Sequence, residues 1–139
     1  MRNLTSKIAF ILTACVSIAL SGCQTAEVGK KDPKKATQVR TQLAVEYLKT
    51  GDLDSAKRAL DEALKINSRD AQANMMMGVL LQQEGSRLNL DRAETYFKRA
   101  ISAEPKNAQA RNNYGTYLYQ LERYNDAIEQ FAIAGATLG

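Results

Sequence analysis

The sequence contains no histidine and no tryptophan, and it has only two cysteines and two prolines. Without histidine, catalysis by Ser–His–Asp or Cys–His groups is excluded, and a metal site built on histidine and cysteine is not expected. The net charge of +4 is small, and no basic stripe alternates with aromatic residues as in nucleic-acid-binding proteins. No pair of carboxylates stands out as a general acid and base. We therefore expect a protein that is not an enzyme and that takes no cofactor, metal, nucleic acid or small-molecule substrate.

The first 22 residues have the pattern of a lipoprotein signal peptide. Arg2 and Lys7 are followed by a mainly apolar run at residues 8–20, which is shorter than the roughly 20 residues that span a bilayer. The run ends in the motif LSGC at residues 20–23, which resembles the bacterial lipobox. The resemblance implies cleavage before Cys23, acyl chains on this residue and stable attachment to a membrane. The alternative is an ordinary secretory signal followed by a coincidental cysteine.

Residues 23–36 are predicted to form a lipidated, disordered linker. Val28 is their only apolar residue of any size, so the segment cannot bury enough surface to fold. Its lysines either contact anionic lipid head groups or belong to a solvated spacer, and we favour the spacer. Gln24 follows the predicted lipid site. In a lipoprotein of a Gram-negative bacterium an aspartate there would indicate the inner membrane, so glutamine favours the periplasmic face of the outer membrane.

From residue 37 onward, small and large apolar residues recur at intervals of 34 and 37 residues. Small residues let two helices approach closely, and large residues fill the grooves beside them. This spacing resembles the tetratricopeptide repeat, a helix-turn-helix unit of about 34 residues. The resemblance implies an all-α superhelix of stacked repeats. The predicted core residues of these repeats are Ala44, Ala56, Leu60, Ala63, Gly78, Ala93, Phe97, Ala100, Tyr114, Gly115, Ala127, Phe131 and Ala134.

The pattern predicts one tetratricopeptide-repeat domain over residues 37–139. Its three repeats are expected at residues 37–70, 71–107 and 108–139. A single repeat cannot bury its own apolar face, and three are about the minimum for a stable domain. The second repeat is three residues longer than 34, and the extra residues 86–88 are placed in the turn between its two helices.

Residues that start and stop helices occur at the expected ends of the repeats. Gly51 is expected to end the first helix, because glycine readily adopts the left-handed conformation found after helix ends. Asp54 is expected to cap the second helix, and Asp70 and Asn107 are expected to cap the first helices of the following repeats. Pro105 is expected to close the second helix of the second repeat.

The first helix of each tetratricopeptide repeat lines a concave groove, so the repeat register predicts which side chains a partner contacts. Amides, hydroxyls and a few apolar side chains dominate this set, which suits a peptide segment held by backbone hydrogen bonds and shallow pockets. The several basic side chains that hold a terminal carboxylate in some of these proteins are absent. The predicted groove residues are Thr41, Val45, Met75, Val79, Gln82, Asn112, Thr116 and Tyr119, and a wider set adds Gln38, Leu48, Lys49, Gln72, Gln83, Gln109 and Gln120.

Met75 stands in a run of three methionines with Met76 and Met77. On a helix, three adjacent side chains point in three directions, and the repeat register directs Met75 toward the groove. A flexible, polarizable methionine there suits an adaptable contact with a partner. The alternative is that Met75 packs against a neighbouring helix, and the sequence favours neither interpretation.

The segment from Asn112 to Ala127 carries a more specific resemblance. Its motif NNYG-x-YLY followed by RY-x-x-A, together with the lipobox and a short polar linker, is similar to the type IV pilus biogenesis/stability lipoproteins of the PilF/PilW family. The resemblance implies a pilotin, which is an outer-membrane lipoprotein that binds the pilus secretin and supports its localisation, pilus biogenesis and twitching motility. The alternative is a general periplasmic scaffold lipoprotein that serves outer-membrane protein or cell-wall assembly.

The last predicted helix has an apolar face with no following helix to cover it. Ile128, Phe131, Ala132 and Ile133 belong to this face. Either a partner covers it, or the sequence is a truncated product of a longer gene. We expect truncation, because members of the PilF/PilW family carry about twice as many repeats.

Overall fold

Six α-helices make up the part of the chain that the structure describes. The computed structural model describes residues 32–138, so the predicted signal peptide, the lipid site at Cys23 and most of the linker lie outside the described residues. No strand occurs within residues 32–138, and the predicted all-α class is confirmed. The helices are α1 (Pro33–Thr50), α2 (Leu53–Ile66), α3 (Ala71–Glu84), α4 (Arg87–Ala103), α5 (Ala108–Gln120) and α6 (Tyr124–Leu138).

Consecutive helices pair into three helix-turn-helix units, as the repeat spacing predicted. Helix α3 packs against α4, and α5 packs against α6. Arg40 on α1 and Glu62 on α2 form an ion pair with an N–O distance of 3.0 Å. Neighbouring units join through contacts of α2 with α3 and of α4 with α5. Helix α3 also touches α5, so the first helices of the second and third repeats lie side by side.

Helix α1 begins earlier than the sequence analysis predicted. Pro33 is its first residue, and residues 33–36, which were assigned to the disordered linker, form its first turn. Proline is favoured at the first helical position because its missing N–H has no partner within a helix there, and its fixed φ already suits the helix. The composition of the segment indicated a linker, but the helix that follows extends into it.

Asp70 and Asn107 cap the helices that the sequence analysis assigned to them. The Asp70 carboxylate accepts a hydrogen bond from the N–H of Ala73 at 2.9 Å, and the Asn107 side chain accepts one from Ala110 at 3.0 Å. The predicted cap at Asp54 is wrong, because α2 begins at Leu53 and Asp54 already lies within its first turn. The cap of α2 is Asp52, whose carboxylate accepts from the N–H of Ser55 at 3.1 Å.

Gly51 ends α1 with a left-handed turn at a φ of +78°. The N–H of Asp52 donates to the carbonyl of Tyr47 at 3.0 Å, and that of Gly51 donates to Leu48 at 3.2 Å. These two bonds form a Schellman motif, which satisfies carbonyls that the helix end leaves without partners. The predicted role of Gly51 is therefore confirmed.

The three extra residues of the second repeat do not lengthen its turn as predicted. Helix α3 ends at Glu84, Gly85 takes a φ of +71°, and Ser86 caps α4 by accepting a hydrogen bond from Asn89. Arg87 is already the first residue of α4, which has 17 residues where α2 has 14. The insertion therefore extends a helix, because added residues with backbone hydrogen bonds within the helix need no new loop.

The core lies between the helix pairs, and the residues of the repeat pattern are its main components. All the predicted core positions are buried except Phe131, whose side chain is 39% exposed. Phe97, Tyr114 and Tyr117 form an aromatic cluster with ring centroids 5.4 to 6.1 Å apart. Each aromatic pair contributes about 0.5–1.5 kcal/mol beyond the burial of its surface. This cluster fastens α4 to α5 and so fixes the second repeat against the third.

Candidate partner-binding groove

A shallow groove of about 310 Å³ lies where α3 and α5 run side by side. The two helices are joined across it by a hydrogen bond from Gln82 Nε2 to Gln120 Oε1. Every side chain that lines the groove is uncharged, so it offers amides, a hydroxyl and one aliphatic surface to a partner. The lining residues are Val79, Gln82, Gln83, Asn113, Thr116 and Gln120.

Three of the eight predicted groove residues line this surface, and two more are exposed on α5. Val79, Gln82 and Thr116 line the groove directly. Asn112 and Tyr119 lie on α5 and are exposed, with Tyr119 at 60%. The Tyr119 ring is held edge-on against Tyr124, with the ring centroids 5.2 Å apart. An aromatic ring that is both exposed and fixed in position is a suitable anchor for a partner.

The structure does not bring Thr41, Val45 and Met75 into an accessible groove. Thr41 is 2% exposed, and its hydroxyl donates to the carbonyl of Thr37 at 2.8 Å within α1. Val45 is half-buried against the hydrophobic core. Met75 is fully buried at 0% exposure, so the alternative in which it packs against neighbouring helices describes it. A partner cannot reach Thr41 or Met75 without opening the repeats.

The burial of Met75 follows from the position of α3 in the stack. Helix α3 is in contact with α2, α4 and α5, so nearly its whole surface faces other helices. Asn74 is also buried there, and its amide donates to the carbonyls of Ser68 and Asp70 at 3.0 and 2.8 Å. These bonds tie α3 to the loop that joins the first two repeats. The repeat register gives the direction of a side chain, but it does not give the number of neighbours around it.

Asn113 is the groove residue that the sequence analysis missed. It belongs to the groove lining together with Thr116 and Gln120 of the same helix. These positions are spaced at i, i+3 and i+7, which places them on one face of α5. The helical periodicity would have indicated Asn113 as a neighbour of Thr116 and Gln120. The repeat register indicated Asn112 as the groove residue at this point of α5 instead.

A polar cluster connects α4 to the third repeat. The Glu94 carboxylate accepts hydrogen bonds from Tyr114 Oη at 2.7 Å and from Arg123 at 2.9 Å, and Tyr117 Oη donates to the carbonyl of Leu90 at 2.7 Å. Partial burial raises the pKa of Glu94, but these hydrogen bonds outweigh it and hold the pKa below its usual range. Burial raises the pKa of Tyr114, as does its hydrogen bond to Glu94. The cluster therefore consists of a carboxylate held by a positively charged guanidinium and a neutral tyrosine hydroxyl, with a second neutral hydroxyl beside it, and it joins the repeats.

Residues 32–138 contain neither a metal-binding cluster nor a membrane-spanning helix. No group of three or more histidine, cysteine, aspartate or glutamate side chains in that range is arranged to hold a metal ion. Within the same range, no helix has both the length and the apolar content needed to cross a membrane.

The comparison with protein families agrees with the geometry. Two models described as tetratricopeptide repeat match residues 37–70 and 85–137. The chain belongs to the tetratricopeptide-repeat proteins, a class whose stacked helix pairs act as protein-interaction scaffolds. The repeats, the all-α fold and the first helices lining a groove are the features that define this class.

Within this class the chain is homologous to proteins of type IV pilus biogenesis, which confirms the resemblance found in the sequence. It is 30% identical to the type IV pilus assembly protein PilF of Pseudomonas aeruginosa over 126 residues, or 86% of this chain and 48% of that protein. A solved structure of P. aeruginosa PilF superposes with a TM-score of 0.70 at 31% identity, covering 75% of this chain and 46% of that one.

A crystal structure of PilW, described as a widely conserved type IV pilus biogenesis factor, superposes with a TM-score of 0.68 at 29% identity. The comparison covers 74% of this chain and 46% of the PilW chain. The chain thus spans about half the length of these relatives.

Proposed function

We propose that the protein acts in type IV pilus biogenesis as an outer-membrane-anchored lipoprotein that binds the pilus secretin and supports its assembly. The identity of 30% to P. aeruginosa PilF over 126 residues supports a role in pilus biogenesis. The secretin as the partner, and twitching motility as the process served, follow from the PilF/PilW resemblance. The uncharged groove between α3 and α5 is the observation that carries the proposal for this chain.

The groove suits an extended segment of the secretin. Gln82, Gln83 and Gln120 provide amide donors and acceptors that can pair with the backbone of a bound peptide. Val79 offers a small apolar surface beside them, and α5, which contributes half of the groove lining, also carries the exposed Tyr119 ring. Because the groove is uncharged, recognition depends on shape and hydrogen bonding, and the binding should depend little on salt.

The predicted lipid on Cys23 would place this groove at the membrane that holds the secretin. Several acyl chains on one residue anchor a protein stably, since each buried methylene contributes about 0.8 kcal/mol. A tethered module meets a membrane-bound partner at a raised effective concentration. A moderate affinity of the groove is then sufficient for stable capture.

Capture of the secretin by the full chain in detergent tests the groove. The double variant Thr116→Glu with Tyr119→Ala introduces a charge and removes the anchor ring at two exposed positions of α5. We expect capture to weaken about tenfold or more, as for the loss of a dominant contact at an interface. The matched control, Thr50→Glu with Leu88→Ala, makes the same kinds of change at exposed positions outside the groove and should capture normally. Undiminished capture by the groove variant would reject this site.

A further inference from the structure

A second concave surface lies outside the groove and shares none of its residues. It is a cleft of about 1020 Å³ between the loop that precedes α3 and one face of α4. The α4 residues follow each other at i, i+3, i+4, i+7 and i+8, which places them along two turns of one face and gives the cleft a length of about 12 Å. The lining residues are Ser68, Arg69, Thr95, Lys98, Arg99, Ser102 and Ala103.

The cleft carries three positive charges that few carboxylates offset. Its seven described lining residues include no aspartate or glutamate. Within residues 32–138, neither Arg69 nor Arg99 has a carboxylate oxygen within 4.0 Å. Lys98 lies 3.4 Å from Glu94, but the same Glu94 oxygen also accepts hydrogen bonds from Tyr114 and Arg123. The positive charge of the cleft is therefore available to a ligand.

The Arg99 side chain and the backbone that carries Arg69 are each held by a local contact. The Arg99 guanidinium lies over the ring of Tyr96, 5.1 Å from its centroid. A guanidinium that stacks on a ring by its face keeps the N–H groups at its edge available for hydrogen bonds. The backbone N–H of Arg69 donates to the side chain of Asn67 at 3.1 Å, and this bond stabilises the loop that carries Arg69. Because little freedom is lost when fixed groups bind, the arrangement favours recognition of a specific anion.

We propose that this cleft binds an extended, acidic peptide segment of a protein partner. Arginine forks pair with carboxylates through two parallel hydrogen bonds, and the hydroxyls of Ser68, Thr95 and Ser102 add neutral donors beside them. An extended chain rises about 3.3 Å per residue, so the cleft accommodates about four residues. A cleft that lies between a loop and a helix suits a narrow chain better than a flat bilayer. Since the groove uses other residues, both sites can be occupied at once.

Fluorescence anisotropy of the full chain in non-ionic detergent tests the proposal. The probe is a labelled hexapeptide of alternating aspartate and glutamate, and its asparagine–glutamine counterpart is the neutral control. We expect the acidic probe to bind and the neutral one not to bind. The double variant Arg69→Gln with Arg99→Gln should weaken binding by about tenfold or more, because it removes both carboxylate forks. Arg69→Lys with Arg99→Lys should lose part of the affinity, since lysine keeps the charge but not the fork.

The matched control is Arg58→Gln with Arg87→Gln, which removes the same charge at two exposed arginines outside the cleft. This variant should bind the acidic probe normally. An equal loss in the control would show that binding follows net charge alone, and this would overturn the proposal. Binding of phosphatidylglycerol vesicles or inorganic phosphate through Arg69 and Arg99, without binding of the peptide, would also overturn it. Circular dichroism of each variant checks that the helices are intact.

Discussion

The ring of Phe97 lies directly against Gly78, and a Cβ built on this glycine would come within 2.8 Å of Phe97 Cε1. The same relationship recurs one repeat later, where a Cβ on Gly115 would come within 2.6 Å of Phe131 Cε1. Glycine on the first helix lets the second helix place a phenyl ring where a side chain would otherwise be. This contact between glycine and phenylalanine explains why small and large residues recur at fixed intervals along the sequence.

Replacement of Gly78 by alanine should destabilise the protein. Phe97 is fully buried, so its ring cannot move aside, and overpacking of this kind costs about 1–3 kcal/mol. The better helix propensity of alanine offsets up to about 1 kcal/mol of this cost. We expect a net loss of about 1 kcal/mol in the free energy of unfolding, measured by urea denaturation.

Two other glycines serve as comparisons for Gly78→Ala. Gly135 has open space around its Cβ position within α6, so Gly135→Ala should stabilise the protein by up to about 1 kcal/mol. Gly115→Ala should cost less than Gly78→Ala, because the ring of Phe131 is 39% exposed and can swing outward. A stable Gly78→Ala variant, or a greater loss for Gly115→Ala, would contradict this account of the packing.

Two aspartates at the start of α2, Asp52 and Asp54, are predicted to contribute differently to stability. Asp52→Ala should lower stability, because it removes the hydrogen bond to the N–H of Ser55, whereas Asp54→Ala should have little effect. Hydrogen bonds from the side chain and the backbone N–H of Ser55 lower the pKa of Asp52 in the folded state. The cap therefore stabilises the folded protein at pH values above the unfolded pKa of aspartate, about 3.9. This stabilisation is lost as the pH falls through the lower pKa of the folded state.

Thermal unfolding at pH 7 and in acid measures this effect. The difference in melting temperature between the native sequence and Asp52→Ala should shrink on acidification. The Asp54→Ala variant serves as the control at each pH. A cap at Asp54 would reverse the order of the two variants.

Removal of the Tyr117 hydroxyl should weaken the join between the second and third repeats. Tyr117→Phe loses the 2.7 Å hydrogen bond to the carbonyl of Leu90, and we expect a cost of about 1 kcal/mol at neutral pH. Burial raises the pKa of Tyr117 to about 12. A raised folded pKa means that this stability is present below the unfolded pKa of about 10 and is lost as the pH rises from there to about 12.

Urea titrations between pH 8 and pH 12 check the alkaline prediction. The native sequence should lose more stability across this window than Tyr117→Phe, which no longer has the titrating hydroxyl. If stability falls equally with pH in the two proteins, groups other than the Tyr117 hydroxyl cause the loss of stability at alkaline pH. Tyr119→Phe is a suitable control, since the Tyr119 side chain is 60% exposed.

The proposed lipid anchor predicts a change of compartment. Cys23→Ala should prevent acylation, release the protein into the periplasm and mislocalise the secretin. Flotation of membranes on a density gradient, with immunoblots for both proteins, measures the result. A variant that still floats with outer membranes would rule out the lipid anchor. Gene deletion separates the two proposed roles, since loss of twitching with normal growth favours pilus assembly and envelope-stress sensitivity favours a general scaffold.

The sequence by itself determined the helices, their pairing and most of their ends. Spacings such as Ala93 to Ala127, and capping residues such as Asp70 and Asn107, act over one helix or one repeat. Interactions within one helix or one repeat depend on residues that are near in the chain, so the sequence pattern alone predicts them.

Only the tertiary structure decided which side chains a partner can reach. Met75 and Thr116 belong to first helices of neighbouring repeats, yet Met75 is buried because α3 has helices on several sides, whereas Thr116 is exposed. The cleft likewise unites Arg69 with Lys98 and Arg99, which are about thirty residues away in the chain. Accessibility and clustering of charge depend on how the repeats stack against one another. The number of helices that surround a given side chain is set by this stacking, and no local pattern in the sequence encodes it.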